Sequence, residues 1–278
     1  MVISAQNQIK QAPHLVILNY HGIETFSGEY PWDPAEKPYV LNISEFESQL
    51  ELILANTFQT LDLSELNLWL DGNNFAPNQV LLTFDDGHIS HHDHAMSALK
   101  KRNMKAIFLV SAGLAGQDHI MNWPHLKDLI ARGFEIGSHG LKHQPLSNVT
   151  HHELWKELYK SKSIVEDKLG VQITSFSVPR GYYQDRIREV ALEVGYRFVF
   201  TSRFDVNLKG ADRFRLNRIA VKKNMRLDHF LKLIHGHLGP KRTIEKFKET
   251  ARRYIKPSIY DALAQFKRVV LEGQKESK

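Results

Sequence analysis

The order of apolar and helical stretches along this chain predicts an α/β protein built on parallel strands, closed into a barrel or an incomplete barrel. Three observations carry that expectation. Short β-prone apolar runs alternate with amphipathic helical stretches at the spacing of βα units. Seven or so such units fit into about 220 residues, which suits a barrel better than an open sheet. One run, Val80-Leu81-Leu82-Thr83-Phe84, stops abruptly at Asp85-Asp86-Gly87-His88, as a buried strand does when it delivers acids to its C-terminal end. That end is where α/β sheets and barrels place their chemistry.

The elements follow in order. His14 to Asn19 is a short apolar strand leading into Tyr20-His21-Gly22. The Pro-, Gly- and aromatic-rich stretch Phe26 to Pro38 is too long for a simple connection and reads as part of a binding rim. Ser44, with Glu47 three residues on, reads as the capping box of a helix whose apolar side is Phe46, Leu50, Ile53 and Leu54. Leu61 to Leu70 holds a strand end and a short helix, closed by Asp71-Gly72-Asn73-Asn74. After the acidic stretch come a helix over Ser90 to Arg102, a strand over Lys105 to Val110 and a helix over Trp123 to Arg132 stopped by Gly133. A strand, Phe134 to Ser138, precedes a long helix from Thr150, with Glu153 at its third position, to Leu169 and Gly170. Ile173 to Val178, Arg197 to Ser202 and Phe214 to Val221 are strands; Asp185 to Val194, Leu227 to Ile234 and Thr243 onward are helices.

Composition narrows the chemistry. The 278 residues include no cysteine, which removes disulfides, thiolate metal sites and cysteine nucleophiles, so any metal must sit on His, Asp or Glu. No apolar run approaches the roughly 18 residues of a membrane span. Met1 to Gln11 is polar and lacks a signal core, so the expected location is cytoplasmic. The net charge of +6 is concentrated after residue 240: residues 241–278 hold 11 Lys and Arg against 5 Asp and Glu. A neutral body predicts no nucleic-acid partner. The expected domains are a barrel over 1–240 and a basic helical tail over 241–278. A solvated helix face accounts most simply for that tail, and peripheral contact with an anionic membrane or a lipid-linked substrate is the alternative.

Successive strand residues face opposite sides, so Asp85 and Asp86 cannot share one job, and one can face a metal while the other handles protons. Alone, Asp-Asp-Gly is equally a turn that caps the next helix. About fifty residues on, Gly137-Ser138-His139-Gly140-Leu141-Lys142-His143 follows a strand and sets two histidines four apart. If that loop turns helically, both imidazoles can chelate one ion. Two His and one Asp leave positions open for water and substrate, the pattern of a catalytic rather than a structural zinc.

Together with Phe176-Ser177-Val178-Pro179-Arg180-Gly181, these stretches resemble the first three motifs of the polysaccharide deacetylases, carbohydrate esterase family four, over about His14 to Val221. The resemblance implies a distorted (β/α) barrel of seven strands and metal-dependent hydrolysis of an N-acetyl, less often O-acetyl, group on a sugar. By matching position it implies Asp85 as catalytic base and Asp86, His139 and His143 as ligands of a divalent metal, most simply Zn2+. The substrate partner is then an N-acetylated carbohydrate.

Two departures bear on the remaining groups. The family's Leu-x-His, source of its general acid, matches Leu233-Ile234-His235, but the match lies in an amphipathic pattern that reads as a helix. His21, at the end of the first strand, resembles a histidine of the exopolysaccharide-type members and is the preferred acid. The family's Arg two residues before the proline is Ser177 here, and Arg180 after the proline is the substitute expected to orient or charge-balance Asp85. His88, His91, His92 and His94 are expected to form a solvated, partly capping cluster rather than a second metal site. Trp32, Trp123, Tyr182 and Tyr183 can stack on sugars or pack. A glycosidase, which needs two carboxylates flanking the bond, and a catalytically silent carbohydrate-binding barrel are the competing readings.

Overall fold

The first strand, β1 (His14–Tyr20), is buried from Leu15 onward and is the seam on which the barrel closes. The computed structural model describes residues 13–73, 78–240 and 242–243. β2 (Gly22–Glu24) and β3 (Val40–Asn42) pair in parallel beside the barrel and hold between them the long loop over residues 25–39. Helix α1 (Ile43–Ala55) is capped by Asn42, whose side chain accepts from Ser44 N while Glu45 reaches back to Asn42 N. The capping box therefore starts two residues before the expected Ser44, and Glu47 is left to pair with Arg102 at 3.4 Å. β4 (Gln59–Thr60) leads into α2 (Leu63–Leu70), and β5 (Gln79–Phe84) is buried throughout.

Beyond β5, a turn of π-helix over His91–Ala95 opens α3 (Met96–Lys101). Then β6 (Ile107–Val110), α4 (Trp123–Ala131), β7 (Glu135–Ser138), α5 (His151–Leu169), β8 (Ser175–Ser177), α6 (Asp185–Val194) and β9 (Phe198–Phe200) alternate as the sequence predicts. β10 (Asn207–Leu208) runs antiparallel at the start of β1, and β11 (Ile219–Ala220) and α7 (Leu227–Ile234) complete the described chain.

Parallel pairing runs β1-β5-β6-β7-β8-β9. Leu216 bridges Phe200, and Ile219 and Ala220 pair with Leu18 and Asn19, which closes the circuit with β11 as its seventh strand. This is the distorted (β/α) barrel that was expected. Its closing strand is shorter than Phe214 to Val221 because Asn217 N donates to the Asn207 side chain and Arg218 N to Arg203 O instead of to a neighbouring strand.

Side-chain alternation sorts these strands into two surfaces. Leu15, Ile17, Leu81, Ile107, Leu109, Phe198, Phe200 and Leu216 share one apolar cluster inside the barrel, joined by Leu63, Leu66, Trp69 and Leu70 of α2 at the strands' N-terminal end. Val16, Leu18, Tyr20, Val80, Leu82, Phe84 and Phe108 face outward, where Phe46, Leu50, Leu99, Leu126, Leu154 and Leu158 cover them. Two residues further along each inward row the side chains turn polar: Asn19 on β1 and then His21 just after it, Thr83 on β5 and Asp85 just after it, His139 just after β7, Ser177 on β8 and Arg218 before β11. Gly137 sits inward where there is no room, since a Cβ there would lie 2.3 Å from Ser175 Oγ and 2.6 Å from Leu109 Cδ2.

The opposite end of the barrel holds a titratable device. Glu135, at the start of β7, accepts from Leu63 N at 2.9 Å, while Asp62 and Glu65 both reach Lys105 at 2.7 Å. Burial, with Asp62 and Glu65 adding negative charge, pushes Glu135 up to about 7 against the opposing pull of the Leu63 N–H and Lys105. Its folded pKa therefore exceeds its unfolded value, so stability is lost as pH rises through the window between the two. Glu135→Gln should melt a few degrees above the wild type at pH 8 and close to it at pH 5. Parallel melting curves at both pH values would refute the idea.

Candidate metal centre and active site

The turn after β5 is built from two left-handed residues, Asp86 (φ 75°) and Gly87 (φ 77°). Gly87 is packed so closely that a Cβ would stand 3.2 Å from Val110 Cγ1, and Asp86 holds a conformation that costs a non-glycine residue about 1 kcal/mol or more. The strained turn swings Asp86 away from Asp85 and under two histidines. Asp86 Oδ1 lies 3.1 Å from His139 Nε2 and 3.0 Å from His143 Nε2. The two histidines overcome the opposing effect of burial and hold Asp86 well below the usual carboxylate range.

His139 is fixed from behind. Its backbone N–H donates to Val110 O at 2.7 Å, and its Nδ1–H faces the carbonyl of Ser177 at 3.1 Å and the Ser177 hydroxyl. That tautomer leaves Nε2 as a lone-pair donor, the arrangement a metal-ligating histidine needs. His143 arrives by an irregular loop with its own φ of 53°, not by the helical turn that the spacing suggested. Glu157, buried on α5, ties this loop down by accepting from Leu141 N, Lys142 N and Gln144 Nε2 at 2.9, 3.2 and 3.0 Å. The three ligand atoms lie within 4.8 Å of one another, and among the described residues this is the one group of three His or acidic side chains so placed. One carboxylate oxygen and two imidazole nitrogens, converging with the tautomer already set, fit a divalent ion with further positions left open.

Asp85 faces the other way, into the barrel, and is 3% exposed. Arg218 meets it with a fork, Nη1 to Oδ1 and Nη2 to Oδ2, both 2.7 Å. Asn19 Nδ2 and Ser177 Oγ complete its shell at 3.0 and 3.1 Å. Burial alone would raise this carboxyl, but the guanidinium charge reverses the effect and holds it well below the usual carboxylate range. Arg218 is itself anchored by Thr201 O and Thr83 Oγ1. The guanidinium on Asp85 is thus Arg218, not the expected Arg180. Arg180 lines the same cavity from a left-handed position after β8 (φ 56°).

His21 also lines this cavity, which has a volume of about 330 Å³ and is shared with Asp85, Asp86, His139, His143, Arg180 and Tyr182. Its Nδ1 is buried with no hydrogen-bond partner, and its ring lies 5.2 Å from that of Tyr39. Burial pulls its pKa down while the charges of Asp86 and Asp85 pull it up, and the net direction is down. His235, by contrast, ends α7 with its ring 5.1 Å from Phe58 and is absent from the cavity wall.

The cluster after Asp86 is not the solvated cap that was expected. His91 is fully buried, held at about 4 chiefly by that burial, and its Nε2–H donates to the carbonyl of His21. His88 is 9% exposed under Trp32, and burial with His91 and His119 nearby pushes it down to about 3. Only His92 and His94 reach surface acids, Asp128 and Glu29. Of the candidate aromatics, Trp32 and Tyr182 wall cavities, Trp123 opens α4, and Tyr183 lies under Arg215.

The chain is similar to several known proteins. The family model for polysaccharide deacetylases matches residues 72–199, a span that includes Asp85, Asp86, His139 and His143. The Bacillus subtilis protein YxkH, whose own name only proposes a polysaccharide deacetylase, is 28% identical over 223 residues, 80% of this chain and 76% of YxkH. The poly-β-1,6-N-acetyl-D-glucosamine N-deacetylase of Staphylococcus aureus is 21% identical over 239 residues, 79% of this chain and 82% of the relative. In structure, the Streptococcus pyogenes deacetylase PplD superposes with a TM-score of 0.72 at 23% identity, over 81% of this chain and 99% of PplD. Motif residues, barrel and relatives agree: the stretch that carries the site, residues 72–199, matches the polysaccharide deacetylase family, and most of the chain is similar to such proteins.

Proposed function

We propose that this protein is a metal-dependent hydrolase that removes N-acetyl groups from an N-acetylglucosamine-containing glycan. The observation that carries the reading is the pairing, in one cavity, of an Asp-His-His ligand set with a second carboxylate locked by a bidentate arginine. The name of the Staphylococcus aureus relative supports the substrate class.

Asp86, His139 and His143 would hold a divalent ion, zinc or one like it, which when bound would supply Lewis acidity to the acetyl carbonyl and lower the pKa of a water beside it. Asp85, the base, removes that water's proton as its oxygen bonds to the carbonyl carbon. Its low pKa suits it to this partner and to no unactivated water. Arg218, Asn19 and Ser177 fix the carboxylate so that no reorganisation is needed when the proton moves. As the C–N bond breaks, His21, on the cavity wall beside Asp85 and Asp86, gives a proton to the leaving amine. His91 sets the position of His21 through its carbonyl. The silent-barrel reading is disfavoured because each part of the hydrolytic set has a partner that orients it. A glycosidase is disfavoured because the adjacent carboxylates diverge to different roles.

Residues 1–240 would form the deacetylase unit, with 241–278 a basic appendage of which only residues 242 and 243 are described. Elemental analysis tests the centre: purified wild type should carry one equivalent of divalent metal and His139→Ala almost none. Equal metal content in the two proteins would sink the assignment.

A further inference from the structure

A second, open cleft of about 170 Å³ adjoins the metal cavity and shares His21, Glu36 and Asp86 with it. Trp32, from the loop between β2 and β3, forms one wall, and His88, Asp118 and His119 form others. Residues His88 and Ile120 pair as an antiparallel bridge, so the two sides are one piece of backbone structure.

The chemistry of these walls is selective. No Lys or Arg lines the cleft. Asp118 is exposed, and its carboxylate has no ion pair or hydrogen bond to a described residue. Glu36 lies half-buried where the cleft meets the cavity, without a cation paired to it among the described residues. Ser90 N–H donates to His88 Nδ1 at 3.1 Å, which puts the neutral ring's proton on Nε2. That N–H, on a side chain only 9% exposed, makes no hydrogen bond to a described residue. The Trp32 indole is clamped between the His88 ring, 4.0 Å away, and Gly22, where a Cβ would lie 2.3 Å from Cη2. Acid, aromatic surface and an uncommitted N–H next to a deacetylating centre make a consistent set.

We propose that this cleft binds an already deacetylated, positively charged amino-sugar residue of the same glycan, beside the acetylated residue in the metal cavity. The inference rests on the deacetylase reading above. Asp118 and Glu36 meet the ammonium group, Trp32, held between His88 and Gly22, offers its indole rim to the apolar side of the sugar ring, and His88 Nε2–H takes a hydroxyl oxygen. The product of one turnover then becomes a binding determinant for the next, and Asp118 is a specificity-determining residue.

The test compares two tetramers of N-acetylglucosamine, one fully acetylated and one carrying a single glucosamine, on metal-loaded wild type and Asp118→Asn. Calorimetric binding of the fully deacetylated tetramer is measured alongside. The glucosamine-containing tetramer should show a KM about tenfold lower on wild type, with that advantage reduced in about 0.5 M salt and gone in Asp118→Asn. Equal KM values on wild type, or an advantage that survives in Asp118→Asn, would overturn the proposal. Asp118-dependent binding of the deacetylated tetramer without acetate release from either substrate would support the cation site and overturn the deacetylase reading instead.

Discussion

Asp85→Asn should keep its metal and lose deacetylation by at least roughly two orders of magnitude, the usual effect of removing a general base. The metal is retained because Asp85 points into the barrel, away from the Asp86, His139 and His143 set. The variant also has a structural cost. Arg218 is 1% exposed, and a neutral amide leaves its guanidinium buried with only Thr201 O and Thr83 Oγ1 as fixed partners. Breaking a buried ion pair from one side typically costs about 3–5 kcal/mol, so the melting temperature should fall and activity must be read well below it. Arg218→Lys separates the two effects: it retains the charge but loses the fork, so kcat should drop while the loss of stability stays smaller. If Asp85→Asn lost the metal and Asp86→Asn kept it, the two roles would be reversed.

The halves of this centre differ in how far the sequence reveals them, and the difference is one of range. Asp85 and Asp86 are visible because a strand ends there, and strand alternation already sends them to opposite sides. His139 and His143 are visible as a pair, but the irregular loop that joins them is shaped by Glu157, 14 residues beyond His143 on α5. Glu157 left a readable signal: it sits on the buried stripe Leu154, Leu158, Ser161, Val165, where an unpaired acid would be costly. Arg218 left a weaker one. Leu216 and Arg218 are two apart in a strand-like run, so an inward Leu implies an inward Arg at the catalytic end. Which strand it would face depends on barrel closure, and its partner lies 133 residues away in sequence. Arg180 was the nearer candidate in the motif and the wrong one for that contact. The histidines after Asp86 misled for the same reason, since only the packed barrel shows that His91 lies under His21.

The contrast between His21 and His235 gives the second large effect. His21→Ala should fold, keep its metal and lose about two or more orders of magnitude toward an N-acetyl sugar, whereas His235→Ala should stay near wild type. His21 continues the inward row of β1 beyond Asn19 and lines the cavity with Asp85 and Asp86, while His235 ends α7 against Phe58. The defect should depend on the leaving group. An amine cannot depart without a proton, but nitrophenolate can, so turnover of nitrophenyl acetate by His21→Ala should fall far less than that of the amide. A merely structural role for His21 would lower both activities together, because the carbonyl that His91 holds belongs to the backbone and survives the substitution. The same split should therefore be absent from His91→Phe, which removes the donor behind that carbonyl and should weaken both substrates alike. An inactive His235→Ala beside an active His21→Ala would place the acid on α7 and overturn the assignment made from the cavity.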